Sequence, residues 1–188
     1  KTCRDGTGIL TCSYKNKPYF CDTNQNLILD IVNCKCPVNA FYDESTKYCK
    51  DFSRLENNIT LLWMRAGSRI VRYKVYVGVV NYLSSKDHSA VMDKEMLFKQ
   101  LDEPVQKKYL DGLIDEIKNL TNNKQEQARI AMRLVQDLDY AQVFDSNYMD
   151  AYPYEVLYAQ RGVCGEKSRL MIYLFRGLGF GSAYMIFH

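Results

Sequence analysis

Six of the seven cysteines fall in the first 49 residues: Cys3, Cys12, Cys21, Cys34, Cys36 and Cys49. The seventh, Cys164, stands alone far downstream. An even, dense set in a short loop-rich segment reads as a disulfide framework, which needs an oxidising compartment. Spacing alone does not choose among the possible pairings. Zinc is the competing reading, but the spacings are wide, Cys34-Lys35-Cys36 is the one close pair, and both histidines, His88 and His188, lie far away. Disulfides are therefore expected, with no metal and no cofactor. The segment is punctuated by Gly6, Gly8, Pro18, Asn24, Asn26 and Pro37, and its apolar stretches (residues 27–29 and 31–32) are short. So small a piece cannot bury enough apolar surface to fold on that basis, and covalent staples are the usual remedy.

The whole chain has 188 residues, enough for one ordinary domain beside such a module. The formal net charge is +3 and no block of Lys and Arg forms a phosphate-binding stripe, so nucleic acid is not an expected partner. The fifteen tyrosines are spread along the chain, as packing residues would be. Two sequons, at Asn58 and Asn119, are glycosylation candidates and fit an extracellular or cell-surface protein. There is no starting Met, no signal peptide and no apolar run long enough to span a bilayer, so any membrane anchor is expected outside these residues.

Three regions are expected: a disulfide-rich module over 1–50, a β-hairpin and linker over 51–100, and a helical part with the start of a core over 101–188. Residues 61–63 and the β-branched, aromatic run from Ile70 to Val80, separated by Ala66-Gly67-Ser68, predict a hairpin with Trp63 on its first arm. A helix is expected after Asp102-Glu103, with Pro104 in its first turn and Leu110, Leu113, Ile114 and Ile117 as its stripe. A second is expected after Asn122-Asn123, with Ala131, Leu134, Val135 and Leu138. Residues 139–153 read as irregular and residues 154–158 as a short turn. From Gly165 the pattern is helical again, with Leu170, Met171, Leu174, Phe175 and Leu178 on one face. Lys167, Arg169 and Arg176 fall mainly off that face, and Gly177 and Gly179 supply the stop. Residues 183–187 read as a strand ending on His188. His88 reads as a surface-loop residue.

Cys164 sits in Gly162-Val163-Cys164-Gly165-Glu166-Lys167-Ser168, where the last helix is expected to begin. A thiol is a nucleophile only as thiolate, and its reference pKa is about 8.5. A helix N-terminus stabilises negative charge, and its free N–H groups can also bind an oxyanion. The plain alternative is a small buried hydrophobe. Against it stands the count: six cysteines can pair, and the seventh is left free.

Several elements in order resemble the transglutaminase-like (papain-like thiol hydrolase) superfamily. They are the amphipathic segment 127–137 with Tyr140 behind it, then Tyr152-Pro153-Tyr154-Glu155-Val156-Leu157, the Gly162–Ser168 stretch, and Leu174-Phe175-Arg176-Gly177-Leu178-Gly179 before a strand. The amino-terminal pattern, with Thr11-Cys12-Ser13, residues 17–21 and Cys34-Lys35-Cys36-Pro37, is similar to the small cysteine-rich modules of secreted archaeal members. The resemblance implies an α+β fold: a papain/transglutaminase-like core, its nucleophile helix packed on an antiparallel sheet, preceded by the disulfide-rich module. It implies a secreted or surface-anchored thiol hydrolase, a peptidase, amidase or cross-linking acyl transferase, acting on a protein or peptide substrate. The alternative is a non-catalytic surface or adhesion module on the same scaffold. In the family a histidine and then an acid follow the cysteine. His188 is the candidate base, although the family's histidine and acid are expected slightly beyond it, in which case the core is truncated at its C-terminus. The oxyanion hole would involve Cys164 and, as a family-like upstream glutamine, Gln160.

Overall fold

A computed structural model of the chain describes residues 1–37, 40–89, 93–141 and 150–182. The chain divides into two compact units, Lys1–Arg54 and Leu55–His188.

In the first unit, β1 (Thr11–Cys12), β2 (Tyr19–Cys21) and β3 (Leu27–Leu29) form one antiparallel sheet. A separate hairpin pairs β4 (Ala40–Asp43) with β5 (Tyr48–Asp51). All six cysteines are bonded, as Cys3–Cys21, Cys12–Cys34 and Cys36–Cys49. Three disulfides belong to an oxidising environment. Apart from the cysteines, the buried apolar side chains among the described residues here are Pro18, Phe41 and Phe52, and the two phenylalanine ring centroids lie 5.6 Å apart. Much of the remaining order is polar. Ser13 Oγ and Asn16 Nδ2 both donate to Asp5, at 2.5 and 3.0 Å, and the Ser13 bond above all holds the Asp5 carboxyl well below the usual range.

The second unit opens on an antiparallel hairpin, β6 (Ile59–Ala66) and β7 (Arg69–Tyr76), turning at Gly67 with φ +67°. Among the described residues six α-helices follow: α1 (Val77–Ser84), α2 (Lys94–Leu101), α3 (Pro104–Leu120), α4 (Lys124–Gln136), α5 (Pro153–Ala159) and α6 (Cys164–Gly177). A parallel two-residue pair, β8 (Asp139–Tyr140) with β9 (Arg161–Gly162), lies between α4 and α6 in the chain order.

The helix starts follow local chemistry. The Glu103 carboxylate accepts the Gln106 N–H (2.8 Å) with Pro104 in the first turn, and the Asn123 side chain accepts the Glu126 N–H (3.1 Å). Each satisfies a backbone donor that the first helical turn leaves unpaired.

The core is made where α3, α4, α5 and α6 meet, with Leu110, Leu113, Ile117, Leu134, Leu157, Leu170 and Leu174 essentially inaccessible. Each such side chain contributes about 1.5–3 kcal/mol by leaving water. Gly177 lets α6 approach α3, since a Cβ there would meet Ile114 Cδ1 at 2.0 Å.

The structure departs from the sequence reading in several places. Residues 77–80 continue into helix α1 rather than the strand: Gly78 lies against the Leu55 backbone, where a Cβ would meet the carbonyl oxygen at 2.4 Å. That close approach ends β7 despite the β-branched run. Helix α2 and the seven-residue helix α5, about two turns, were also not legible. The expected packing of a nucleophile helix on an antiparallel sheet is not confirmed by the described residues. Here α6 packs mainly on α3, α4 and α5, while the β6–β7 hairpin packs on α3 and α4. The expected strand over 183–187 lies outside the described residues. Arg169, read as lying off the buried face of its helix, is 2% exposed. It faces Asp150, with Nη2 3.0 Å from Oδ1. Among the described residues no helix is long and apolar enough to cross a membrane, and no His/Cys/Asp/Glu group is arranged to hold a metal.

Candidate functional site

Helix α6 begins at Cys164, whose thiol is free and exposed. Val163 before it is extended (φ −77°, ψ 169°), so Cys164 is the first residue of the helical turn. Its backbone N–H and those that follow have no intrahelical acceptor, and the helix dipole favours negative charge at this end.

Three features hold this helix start in place. First, Glu166 is buried, and its carboxylate accepts the Val163 N–H (2.8 Å) and the Ala151 N–H (2.7 Å). The two orphan donors and the charge satisfy one another, the Glu side of a capping box. Second, Gly162 is buried, and a Cβ on it would press on Val156 Cγ1 (3.0 Å) and on Glu166 Oε2 (3.1 Å). A side chain at this position would have to push both neighbours aside by a few tenths of an ångström. Third, residues 139–141 run beside 160–162, with Asp139 N–H donating to Gln160 O (3.0 Å) and Ala141 N–H to Gly162 O (3.2 Å).

The segment Asp150-Ala151-Tyr152 crosses this start and is tied at every residue. Asp150 N–H donates to His88 O (3.0 Å), Ala151 N–H to Glu166, and Tyr152 N–H to Glu155 Oε2 (2.9 Å). The Asp150 carboxylate meets the buried Arg169 guanidinium. Helix α5 is fixed in turn by Tyr154, whose N–H donates to Gln106 Oε1 (3.3 Å) and whose hydroxyl accepts the Tyr76 N–H (2.8 Å).

Two lysines fix α6 against α4. Lys167 Nζ donates to Leu138 O (2.7 Å) just past the end of α4, and Lys124 Nζ, from the first turn of α4, donates to Leu178 O (2.7 Å) past the end of α6. Each lysine satisfies carbonyls that a helix end leaves open.

The other residues singled out from the sequence lie as follows. Gln160 ends α5 in the left-handed region (φ 54°), and its amide Nε2 is turned back onto Leu157 O (2.5 Å). Asn58 and Asn119 are both exposed. His188 lies outside the described residues. His88 is no free surface-loop residue: its side chain is 11% exposed, Nε2 is 2.8 Å from Glu155 Oε2, Nδ1 is 2.8 Å from Lys86 O, and its ring meets Tyr152 edge-on. Burial disfavours its charged form, yet the Lys86 carbonyl and the Glu155 carboxylate outweigh that and raise its pKa above the ordinary value. Both ring nitrogens are thus engaged away from the thiol. The contributions of Glu166, Arg169 and His88 were missed from the sequence because each depends on a partner brought in by tertiary structure.

Residues 111–186 match the family model described as the transglutaminase-like superfamily. The match spans α4, α5, the Gly162–Cys164 approach and α6. No curated protein and no solved structure matches the chain.

Proposed function

We propose that this protein is a thiol hydrolase or acyl transferase of the transglutaminase type, secreted or held at a cell surface, with Cys164 as nucleophile. The observation that carries the reading is a free, exposed thiol on the first residue of α6, inside the segment matching the transglutaminase-like family.

In this chemistry the thiolate attacks an amide carbonyl carbon. A C–S bond forms, and the carbonyl oxygen takes the negative charge, stabilised by the backbone N–H groups at the start of α6. Collapse breaks the C–N bond, the departing nitrogen takes the proton removed from the thiol, and a thioester remains. Water or an amine then attacks the thioester and regenerates the thiol, giving hydrolysis or cross-linking. The side chain of Gln160 donates elsewhere, so the oxyanion donors in this reading are backbone amides. The base is a histidine, and His188 is the candidate the chain carries. The protein module with three disulfides and the exposed sequons at Asn58 and Asn119 support an extracellular or surface setting.

A second reading is a non-catalytic surface module on the same scaffold. It is favoured by the engagement of His88 with Glu155 and Lys86 O rather than with Cys164. Treating the native chain with iodoacetamide near pH 6 and mapping the label separates the two. The enzyme reading expects Cys164 to be alkylated roughly tenfold faster than a small-molecule thiol. It also expects ammonia release from a glutamine dipeptide, lost in Cys164→Ser. Alkylation no faster than the small thiol, with no ammonia released, would leave the scaffold reading.

A further inference from the structure

The β6–β7 hairpin carries a second surface of its own. Its inner residues Leu62, Met64, Val71, Tyr73 and Val75 are buried, as a period of two requires. On the opposite face the register sets Leu61 beside Lys74, Trp63 beside Arg72 and Arg65 beside Ile70. Trp63 is 58% exposed, and the Arg72 guanidinium lies over its ring at 4.6 Å. Ile59, Leu61 and Ile70 are exposed around it. An apolar cluster of this kind on one sheet face marks an interaction site rather than ordinary surface.

The charge on this face has one sign. Arg65, Arg72 and Lys74 are its ionisable groups besides Tyr76, and no carboxylate stands among them. The neighbouring cations Arg69 and Lys108 are already paired, with Glu126 and Glu56. Arg65, Arg72 and Lys74 form no ion pair among the described residues. The face continues into a cleft of about 520 Å³ toward α3, where Leu61, Arg72, Lys74 and Tyr76 meet Tyr109 and Lys108, with Glu116 as the lining's carboxylate. The hairpin pairs with no third strand among the described residues.

We infer that this face is a docking surface for an acidic polypeptide segment, lying across Trp63 with its carboxylates on Arg65, Arg72 and Lys74. Trp, Tyr and Arg are the residues that dominate binding energy at protein interfaces. Positive potential on this side requires negative potential on the other. A polypeptide fits better than a polynucleotide or a sulfated sugar. Across the two strands Leu61, Trp63 and Ile70 each sit beside a cation, and only a partner that carries apolar side chains among its acids removes both from water. The surface stands independently of Cys164.

Trp63 is the chain's only tryptophan, so its emission reports on this face alone. The native chain is titrated at low salt with a peptide of alternating Glu and Leu. A saturable blue shift is expected, weakened by added salt as screening requires and unchanged in Cys164→Ser. The double substitution Arg72→Glu with Lys74→Glu leaves Trp63 in place and is expected to weaken binding roughly tenfold or more, with an unaltered far-UV spectrum. Arg65→Gln, as a milder variant, is expected to weaken it less. No shift, an equal shift with a control peptide of alternating Lys and Leu, or shielding of Trp63 from acrylamide in the unbound protein would overturn the proposal. Tighter binding by a single-stranded oligonucleotide or a sulfated polysaccharide would overturn the polypeptide assignment.

Discussion

The two units of this chain are ordered by opposite means. Residues 1–54 have three disulfides and two buried phenylalanines. Residues 55–188 have no disulfide and a core of interlocked leucines and isoleucines from four helices. The small unit lacks the volume for a core, so its stability resides in restricting the unfolded chain. The larger one buries apolar surface, and polar groups serve there to set position rather than to supply the bulk of stability. A feature that matters in one unit should therefore be nearly silent in the other.

Reduction gives the largest expected separation. The cross-links join residues 18, 22 and 13 apart in sequence. Each is expected to contribute about 3 kcal/mol by constraining the unfolded state. Dithiothreitol should make residues 1–54 protease-sensitive within the time that leaves 55–182 intact, read by mass mapping of the fragments. Equal sensitivity of both units would break the comparison.

Packing supplies the next effect. Gly177→Ala drives a methyl group into Ile114 and is expected to destabilise the larger unit by about 1–3 kcal/mol. Gly112→Ala, in the interior of α3, meets only Tyr73 Cε2 at 3.8 Å and is expected to be neutral or to stabilise by up to about 1 kcal/mol. Denaturant midpoints of the two variants check the pair. If Gly177→Ala is as mild as Gly112→Ala, close packing of α3 and α6 is not what holds this unit.

The smallest effect tests the polar side. The folded pKa of His88 is raised, so the folded state holds its proton more tightly than the unfolded one. The stability from that proton is fully present below the unfolded value of about 6.5 and is lost as pH rises through the folded one. His88→Gln should lower the melting temperature more at pH 5.5 than at pH 9. A gap that widens with rising pH would show the sign to be wrong.

How much was legible follows the same division. The disulfide character of the first unit was readable from cysteine density, but the pairing Cys3–Cys21, Cys12–Cys34, Cys36–Cys49 was not, because wide spacing leaves the loops free to close in other ways. Helices α3, α4 and α6 were readable because Glu103 with Pro104, Asn123 and the Gly162-to-Gly165 stretch carry their start signals locally. Helix α1 was not, because Val77, Val79 and Val80 favour a strand, and what overrides them is the approach of Gly78 to the Leu55 backbone. The free thiol at a helix start was visible by counting. The carboxylate that fixes it was not assigned that task, because the Ala151 N–H that Glu166 also accepts reaches it from 15 residues earlier. Arg169 and His88 are of the same kind: their burial follows from Asp150 and Glu155, which periodicity on their own segments does not register.

The crossed lysine bonds between α4 and α6 carry a consequence for how this chain can change. Lys124 reads the end of α6 and Lys167 reads the end of α4, so the two helices must keep matched lengths. Substitutions on either helix face leave that match intact. A single inserted or deleted residue between 125 and 138, or between 168 and 178, does not, because it rotates everything beyond it by about 100° and shifts it by about 1.5 Å along the axis. Homologous chains that keep this arrangement should therefore vary freely in composition across both helices while holding their lengths constant, and length changes should collect in the segments between them.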